Sequence, residues 1–327
     1  MIKLKKIKLT NYCGYRDFEL DLTEGDSVKK WAIFYGPNGS FKSSFLYALD
    51  LLSSPKRFFK KRNIMTFRKL KYHKDYCSGY EPMYTDVNNL KMEAIFLVDG
   101  VEKKVILEDN IQGIISAGRV VDESKNEISG VRLNELDVNE QGIIFIDADC
   151  KNMMTKFQII EELSDDFCEF ASAVYGLKCY CPKETKIVDN GITYLGDFVV
   201  EKPDKNDKNI ITKVHYKRLS DGEKKIATLV SSLFKRAHKD SPDKENKGIV
   251  AIDNIEQHIY HKRHMALMRK MEEYFPEKQI IATTHSPIII NEMEEKYLIN
   301  MEESFNKKNL KWYHYLFKSV FKRWSSS

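Results

Sequence analysis

Residues 31 to 52, "WAIFYGPNGSFKSSFLYALDLL", limit what this chain can fold into more than any other stretch. Trp31 to Tyr35 form a short apolar run of the kind found in a buried strand. A glycine-bearing turn follows, and Phe45, Leu46, Ala48, Leu49 and Leu52 then recur at helical spacing. A strand that turns directly into a helix leaves the helix's first N–H groups without internal partners, and those donors and the helix dipole favour an anion. The turn, Gly36-Pro37-Asn38-Gly39-Ser40-Phe41-Lys42-Ser43, differs from G-x-x-x-x-G-K-[ST] only at Phe41. In that motif the backbone of Gly36, Asn38, Gly39, Ser40 and Phe41 and the Lys42 ammonium surround the β- and γ-phosphates. The Ser43 hydroxyl, with Ser44 beside it, faces Mg²⁺. The loop therefore predicts the phosphates of a bound nucleotide and Mg²⁺.

The remaining pattern agrees with an α/β architecture. Short β-like runs alternate with turns from about 85 to 147, and 155 to 177 is helical in pattern. "ITYLGDFVVEK" and "IITKVHYKRL" predict a hairpin. In "LSDGEKKIATLVSSLFKRA", Ile226, Ala227, Val230, Leu233 and Phe234 mark one helical face. Ser220 and Glu223 have the spacing of a capping box at its start. "GIVAIDNIE" is a buried strand ending in acids, a helix at about 262 to 274 follows, and "QIIATTHSP" is another strand. Alternating strands and helices predict a mostly parallel core.

With 42% hydrophobic and 31% charged residues, the composition is that of a soluble globular protein. No apolar run reaches the roughly 18 residues of a membrane helix, and the basic start lacks a signal peptide's apolar block. Six irregularly spaced cysteines predict reduced thiols in a cytoplasm. Cys179 and Cys181 have no second Cys/His pair at zinc-finger spacing.

Four elements stand in order: the loop at 36 to 43, the helix start bearing Ser220, Gly222 and Glu223, Asp253 after an apolar strand, and His285 after another. Asp253 occupies the place of a Walker B carboxylate that holds the Mg²⁺ hydration shell, and His285 can hydrogen-bond a terminal phosphate. This order resembles the ABC-type ATPase heads of the RecF/SMC group, and most closely the OLD-family ATPase domain. "IKLKKIKLTNYCGYRDFELDL" is similar to the group's opening strand and turn, and "LSDGEKK" resembles the signature motif. "IDNIEQHIYH" resembles D-E-x-E-x-x-L-H, and "IIATTHSPIII" the switch-histidine segment. The resemblance runs from residue 1 to about 300 and includes no TOPRIM nuclease domain and no coiled-coil insert.

The resemblance implies a P-loop NTPase head with a β-rich lobe and a helical, signature-bearing lobe. The expected divisions are 1–150 for the loop and β-rich lobe, 151–247 for the helical and hairpin lobe, 248–300 for the Walker B and switch core, and 301–327 for an aromatic-basic tail. It also implies a homodimer, because in this architecture the signature serine and glycine of one subunit face the phosphates held by the other. Without a nuclease of its own, such a head is expected to regulate a separate effector, a nuclease or toxin, in anti-phage defence. The alternatives are a RecF-like repair ATPase acting on DNA and, less favoured, a transporter nucleotide-binding subunit. The D-E-P-[ST] continuation of transporter subunits is missing.

Two departures from the resembled pattern bear on catalysis. Phe41 replaces the loop's last glycine; its ring is expected to point away from the phosphates. Asn254 replaces the glutamate that activates the attacking water, leaving Glu256 as a candidate to take part of that role. Slow hydrolysis is the expectation. Separately, nine Lys/Arg and no acid lie between Pro55 and Lys74; the chain's net charge is +5, so without these nine it is −4. Lys56, Arg57, Lys60, Lys61, Arg62, Arg68 and Lys69, with Lys71, Lys74 and interleaved aromatics, are candidates for DNA contact. The bland alternative is a solvated face.

Overall fold

The structure, a computed structural model, describes residues 2–12, 15–53, 91–109, 115–122, 143–146, 157–189, 191–204, 206–207, 209–237 and 248–304. The basic segment 55–74 and the aromatic tail after residue 304 lie outside the described residues. The chain divides into two compact units, one of Lys3–Asn139 with Glu295–Ser327 and one of Met1–Ile2 with Glu140–Glu294.

The unit of Lys3–Asn139 with Glu295–Ser327 holds a five-stranded sheet in the order Tyr15–Asp21, Ile2–Tyr12, Lys91–Val98, Val101–Asp109, Ile115–Asp122. Alternation decides its faces: in Lys91–Val98 every second residue is buried, from Met92 to Val98. The strand Trp31–Tyr35 pairs in parallel with Leu298–Asn300, with Ile33 opposite Leu298. Its Trp31, Ala32, Ile33 and Phe34 are all buried, as the unbroken apolar run predicts. The helix that follows, α1 (Lys42–Ser53), buries Phe45, Leu46, Ala48, Leu49 and Leu52, the residues picked out by helical spacing. Phe45 stacks obliquely on Phe34 at 4.3 Å and meets Phe18 edge-on at 6.0 Å, fixing the helix against both the strand before it and the antiparallel sheet.

The second unit is built on three parallel strands: Ile143–Ile146, Gly248–Ile252 and Lys278–Thr283. The first of these was grouped by pattern with the β-rich stretch 85 to 147. Its backbone instead pairs in parallel with Gly248–Ile252, with Ile249 opposite Ile143, because a continuous apolar run suits a parallel sheet covered on both faces. Helices α2 (Ser164–Tyr175), α3 (Asp221–Ala237) and α4 (His264–Tyr274) supply an aromatic core: Phe170 and Phe234 meet edge-on at 5.8 Å, and each also contacts Phe275. The expected hairpin is present as Val199–Pro203 against Ile211–His215. Helix α2 ends at Gly176, whose φ of 67° is a left-handed conformation that disfavours any other residue; a Cβ there would also have to displace the Arg263 guanidinium, 2.3 Å away. No described helix is long and apolar enough to cross a membrane.

Candidate nucleotide site

The loop that opens α1 adopts the glycine-dependent path that a phosphate cradle needs. Gly36 has φ 146° and Gly39 φ 80°, both in the region that side chains disfavour. A Cβ on Gly36 would also sit 3.1 Å from Ser40 Oγ and 3.5 Å from Met301 Cβ. Phe41 takes φ 60° in place of the motif's glycine, a left-handed conformation that costs a non-glycine residue roughly 1–2 kcal/mol. Its surroundings hold it there: Tyr15 Oη donates to the Phe41 carbonyl at 2.8 Å, and the two rings lie 6.1 Å apart in a tilted contact. The ring is thus engaged with the opening strands of the sheet, and the loop keeps its shape with phenylalanine in place.

Lys42 is buried, and its ammonium turns back into the loop. It donates to the carbonyls of Gly36 (2.9 Å) and Pro37 (3.0 Å) and to Ser40 Oγ (3.2 Å). A lysine this deeply buried is stabilised as a cation by these dipoles, and phosphate oxygens are stronger acceptors than the carbonyls it now holds. Ser43 and Ser44 follow in the first helical turn and are half-buried.

In the second unit the other predicted residues cluster where two parallel strands end side by side, with Ile252 opposite Ala282. Asp253 is buried, and its Oδ1 accepts the Thr283 hydroxyl at 2.6 Å. The same hydroxyl oxygen accepts the Asn254 N–H at 2.7 Å, and the Thr283 carbonyl accepts the Ile255 N–H at 3.0 Å. Asn254 sits at φ 47°, a left-handed position that asparagine tolerates better than most residues. Glu256 is committed at both oxygens: Oε2 accepts the Thr284 hydroxyl at 2.8 Å and Oε1 the His285 N–H at 2.7 Å. The His285 side chain is exposed.

The signature helix start is a capping box in three dimensions as well as in sequence. Glu223 Oε2 accepts both the Ser220 N–H (3.0 Å) and the Ser220 hydroxyl (2.8 Å), and the return contact from the Glu223 N–H to Ser220 Oγ is long, at 3.5 Å. Burial raises the Glu223 pKa, but Lys202 at 2.5 Å and the Ser220 donors outweigh it and hold the carboxyl below its usual range. Gly222 faces His258, and a Cβ there would meet its ring at an ordinary 3.8 Å. His258 Nε2 in turn lies 3.1 Å from Lys225 Nζ, so the signature helix and the segment after Asp253 are joined within this unit.

The structure therefore groups Asp253, Asn254, Glu256 and His285, and brings Gly222 and Lys225 of the helix that Ser220 and Glu223 open beside His258; the loop residues 36 to 44 lie in the other unit. Sequence reasoning passed over Tyr15, His258, His264, Thr283 and Thr284. The pair Thr283-Thr284 carried a signal, two hydroxyls immediately before His285, whereas Tyr15 and His264 carried none. Ser43 and Asp253 offer hard oxygen donors of the type that suits Mg²⁺. By chemistry alone, the loop suits the phosphates of a nucleoside triphosphate, and each of these two oxygen donors, taken in its own unit, suits Mg²⁺. Among the described residues no group of three or more His, Cys, Asp or Glu could hold a metal ion by itself.

Comparison with known proteins supports this reading. A family model described as "AAA ATPase domain" matches residues 2–175, just over half of the chain, and one described as "AAA domain, putative AbiEii toxin, Type IV TA system" matches residues 189–291. The chain is 22% identical to the Septu protein PtuA of Bacillus mycoides over 87% of its own length and 38% of that protein. It is 40% identical to the Retron Vc95 probable ATPase of Vibrio cholerae over 22% of its length and 15% of that protein. The chain thus spans well under half the length of these relatives. Among solved structures, the SMC head domain from Thermotoga maritima aligns with a TM-score of 0.55 at 17% identity, covering 91% of this chain and 94% of that one. An SmcHead bound to the C-winged helix domain of ScpA gives 0.58 at 14%, covering 91% and 93%. The fold is that of a P-loop ATPase head, and the chain belongs to the AAA ATPase domain family.

Proposed function

We propose that this chain binds ATP with Mg²⁺, closes as a homodimer around the nucleotide, hydrolyses it slowly, and thereby regulates a separate effector, a nuclease or toxin, in cytoplasmic anti-phage defence. The observation that carries the proposal is the loop itself. Gly36, Gly39 and Phe41 hold positive φ, and the buried Lys42 ammonium is turned onto loop carbonyls that a triphosphate would replace. The names of the relatives, a retron ATPase and a Septu protein, support the defence role.

In this reading the residues divide the work. Lys42 and the N–H groups opening α1 stabilise the charge developing on the phosphoryl group. Mg²⁺ supplies neutralisation of the phosphate oxygens when bound. Ser43 and Asp253 would be the residues that hold it. His285 donates to the terminal phosphate, and Ser220 and the Gly222 N–H do so from the partner subunit's copy of this chain. Asn254 orients the attacking water and takes no proton, so hydrolysis is slow and the closed state long-lived. Calorimetry tests the core of the proposal: Lys42→Ala should abolish ATP binding while leaving the circular dichroism spectrum unchanged. Equal affinity in the variant and the wild type would overturn it.

A further inference from the structure

We propose that Glu256 is a positioning residue, which sets the switch-histidine segment, and is not the proton acceptor in hydrolysis; the inference rests on the reading of this cluster as the hydrolysis centre. Five hydrogen bonds close into a ring. The Thr284 hydroxyl donates to Glu256 Oε2 at 2.8 Å, and Thr284 Oγ1 accepts the Ser286 N–H at 3.0 Å. Ser286 Oγ and the buried His264 Nδ1 are 2.7 Å apart, and His264 Nε2 lies 3.0 Å from the Ile259 carbonyl. The Ile259 N–H then returns to the Glu256 carbonyl at 3.0 Å.

The directions in this ring are fixed by what each group can donate. A carbonyl only accepts, so His264 Nε2 carries a proton toward the Ile259 carbonyl, and whenever the ring holds a single proton Nδ1 accepts from the Ser286 hydroxyl. Ser286 Oγ keeps a lone pair for the Ile289 N–H at 3.2 Å, which caps the helix Pro287–Glu292. The ring thus ties the segment after Asp253 to the segment that carries His285. Glu256 contributes twice, because its other oxygen takes the His285 N–H directly at 2.7 Å. Each of its oxygens therefore holds one donor of the segment that carries the exposed histidine, the Thr284 hydroxyl and the His285 backbone N–H, which is the placement of a clamp.

Substitution separates a clamp from a base, because glutamine retains the shape and an acceptor but cannot take a proton. In Glu256→Gln the amide oxygen can accept the His285 N–H, and the amide nitrogen can donate to Thr284 Oγ1. Glu256→Ala removes both contacts. A clamp predicts that Glu256→Ala lowers kcat for ATP with little change in KM, and that Glu256→Gln recovers at least about tenfold of that loss. The acidic limb of the pH–kcat profile should be the same in Glu256→Gln as in the wild type, and Thr284→Val should fall between Gln and Ala. A glutamine variant as damaged as alanine, with the acidic limb gone, would make Glu256 the base and overturn the inference. Hydrogen exchange at the His285 amide gives a readout independent of turnover: protection in the wild type and in Glu256→Gln, lost in Glu256→Ala. An unprotected amide in the wild type would sink the clamp even if the protein hydrolyses ATP. Protection without any ATP turnover would keep the clamp and sink the proposed function instead.

Discussion

The hydroxyl of Thr283 donates to Asp253 Oδ1 at 2.6 Å, and its oxygen accepts the N–H of Asn254 at 2.7 Å. One side chain thus aims the proposed metal-holding carboxylate and pins the turn that follows it. Thr283 is itself fully buried and Asp253 nearly so, which leaves the carboxylate little water to replace the hydroxyl. Thr283→Val should cost about 1–3 kcal/mol in chemical denaturation, because it leaves the buried Asp253 carboxylate and the Asn254 N–H each short of a partner. It should also raise the Mg²⁺ concentration needed for half-maximal turnover. Thr283→Ser, which keeps the hydroxyl, should restore most of both.

Asn254 stands where the resembled pattern has glutamate, and it stands at φ 47°. A carboxylate there can accept the proton of the attacking water, so Asn254→Glu should raise the steady-state hydrolysis rate at least about tenfold. The same change places a longer side chain in a left-handed conformation and should cost on the order of 1 kcal/mol, read as a lower Tm. A fast wild-type enzyme that this substitution leaves unchanged would place the base elsewhere and end the latch reading.

Gly222 lacks both of the usual reasons for a glycine. Its φ is outside the left-handed range, and a Cβ would meet His258 at an ordinary 3.8 Å. Gly222→Ala should therefore fold normally, with a Tm within about 1–2 °C of wild type. If the glycine is there to admit a phosphate held by a second subunit, ATP-dependent dimerisation in sedimentation should be lost while ATP binding to the monomer is kept. Dimerisation at the wild-type level would remove Gly222 from the interface.

Lys278 is buried in the strand Lys278–Thr283, and desolvation lowers its pKa to about 8. Below pH 8 the folded chain carries an ammonium that would be better hydrated in the unfolded chain. Between about 8 and the ordinary 10.5 the unfolded chain holds a proton that the folded chain has released, so rising pH favours folding at this group. Lys278→Met should be the more stable protein at pH 7 by roughly 1–3 kcal/mol, and that advantage should shrink as pH rises through this window. Comparing the two proteins isolates Lys278 from Cys179, whose burial-raised pKa of about 12 acts in the opposite direction.

The capping box at Ser220 and Glu223, the apolar faces of α1 and α3, and the path of Gly36-Pro37-Asn38-Gly39 were all written in the sequence, because each depends on partners within a few residues. Phe41 was legible as a departure, yet only the fold shows why it is tolerated: Tyr15, 26 residues earlier, holds its carbonyl. The strand Ile143–Ile146 was visible as a strand but not as a neighbour of Gly248–Ile252, since an apolar run does not name its partner. Glu256 shows the same limit at the site. Its position after Asp253 and Asn254 marked it as an acid available for chemistry, and sequence spacing could say no more. Its bonds to Thr284 and His285, 28 and 29 residues away, exist because two parallel strands end in register. Local periodicity and capping are short-range and survive in one dimension; which donors reach a carboxylate is a matter of distance, and only tertiary structure sets it.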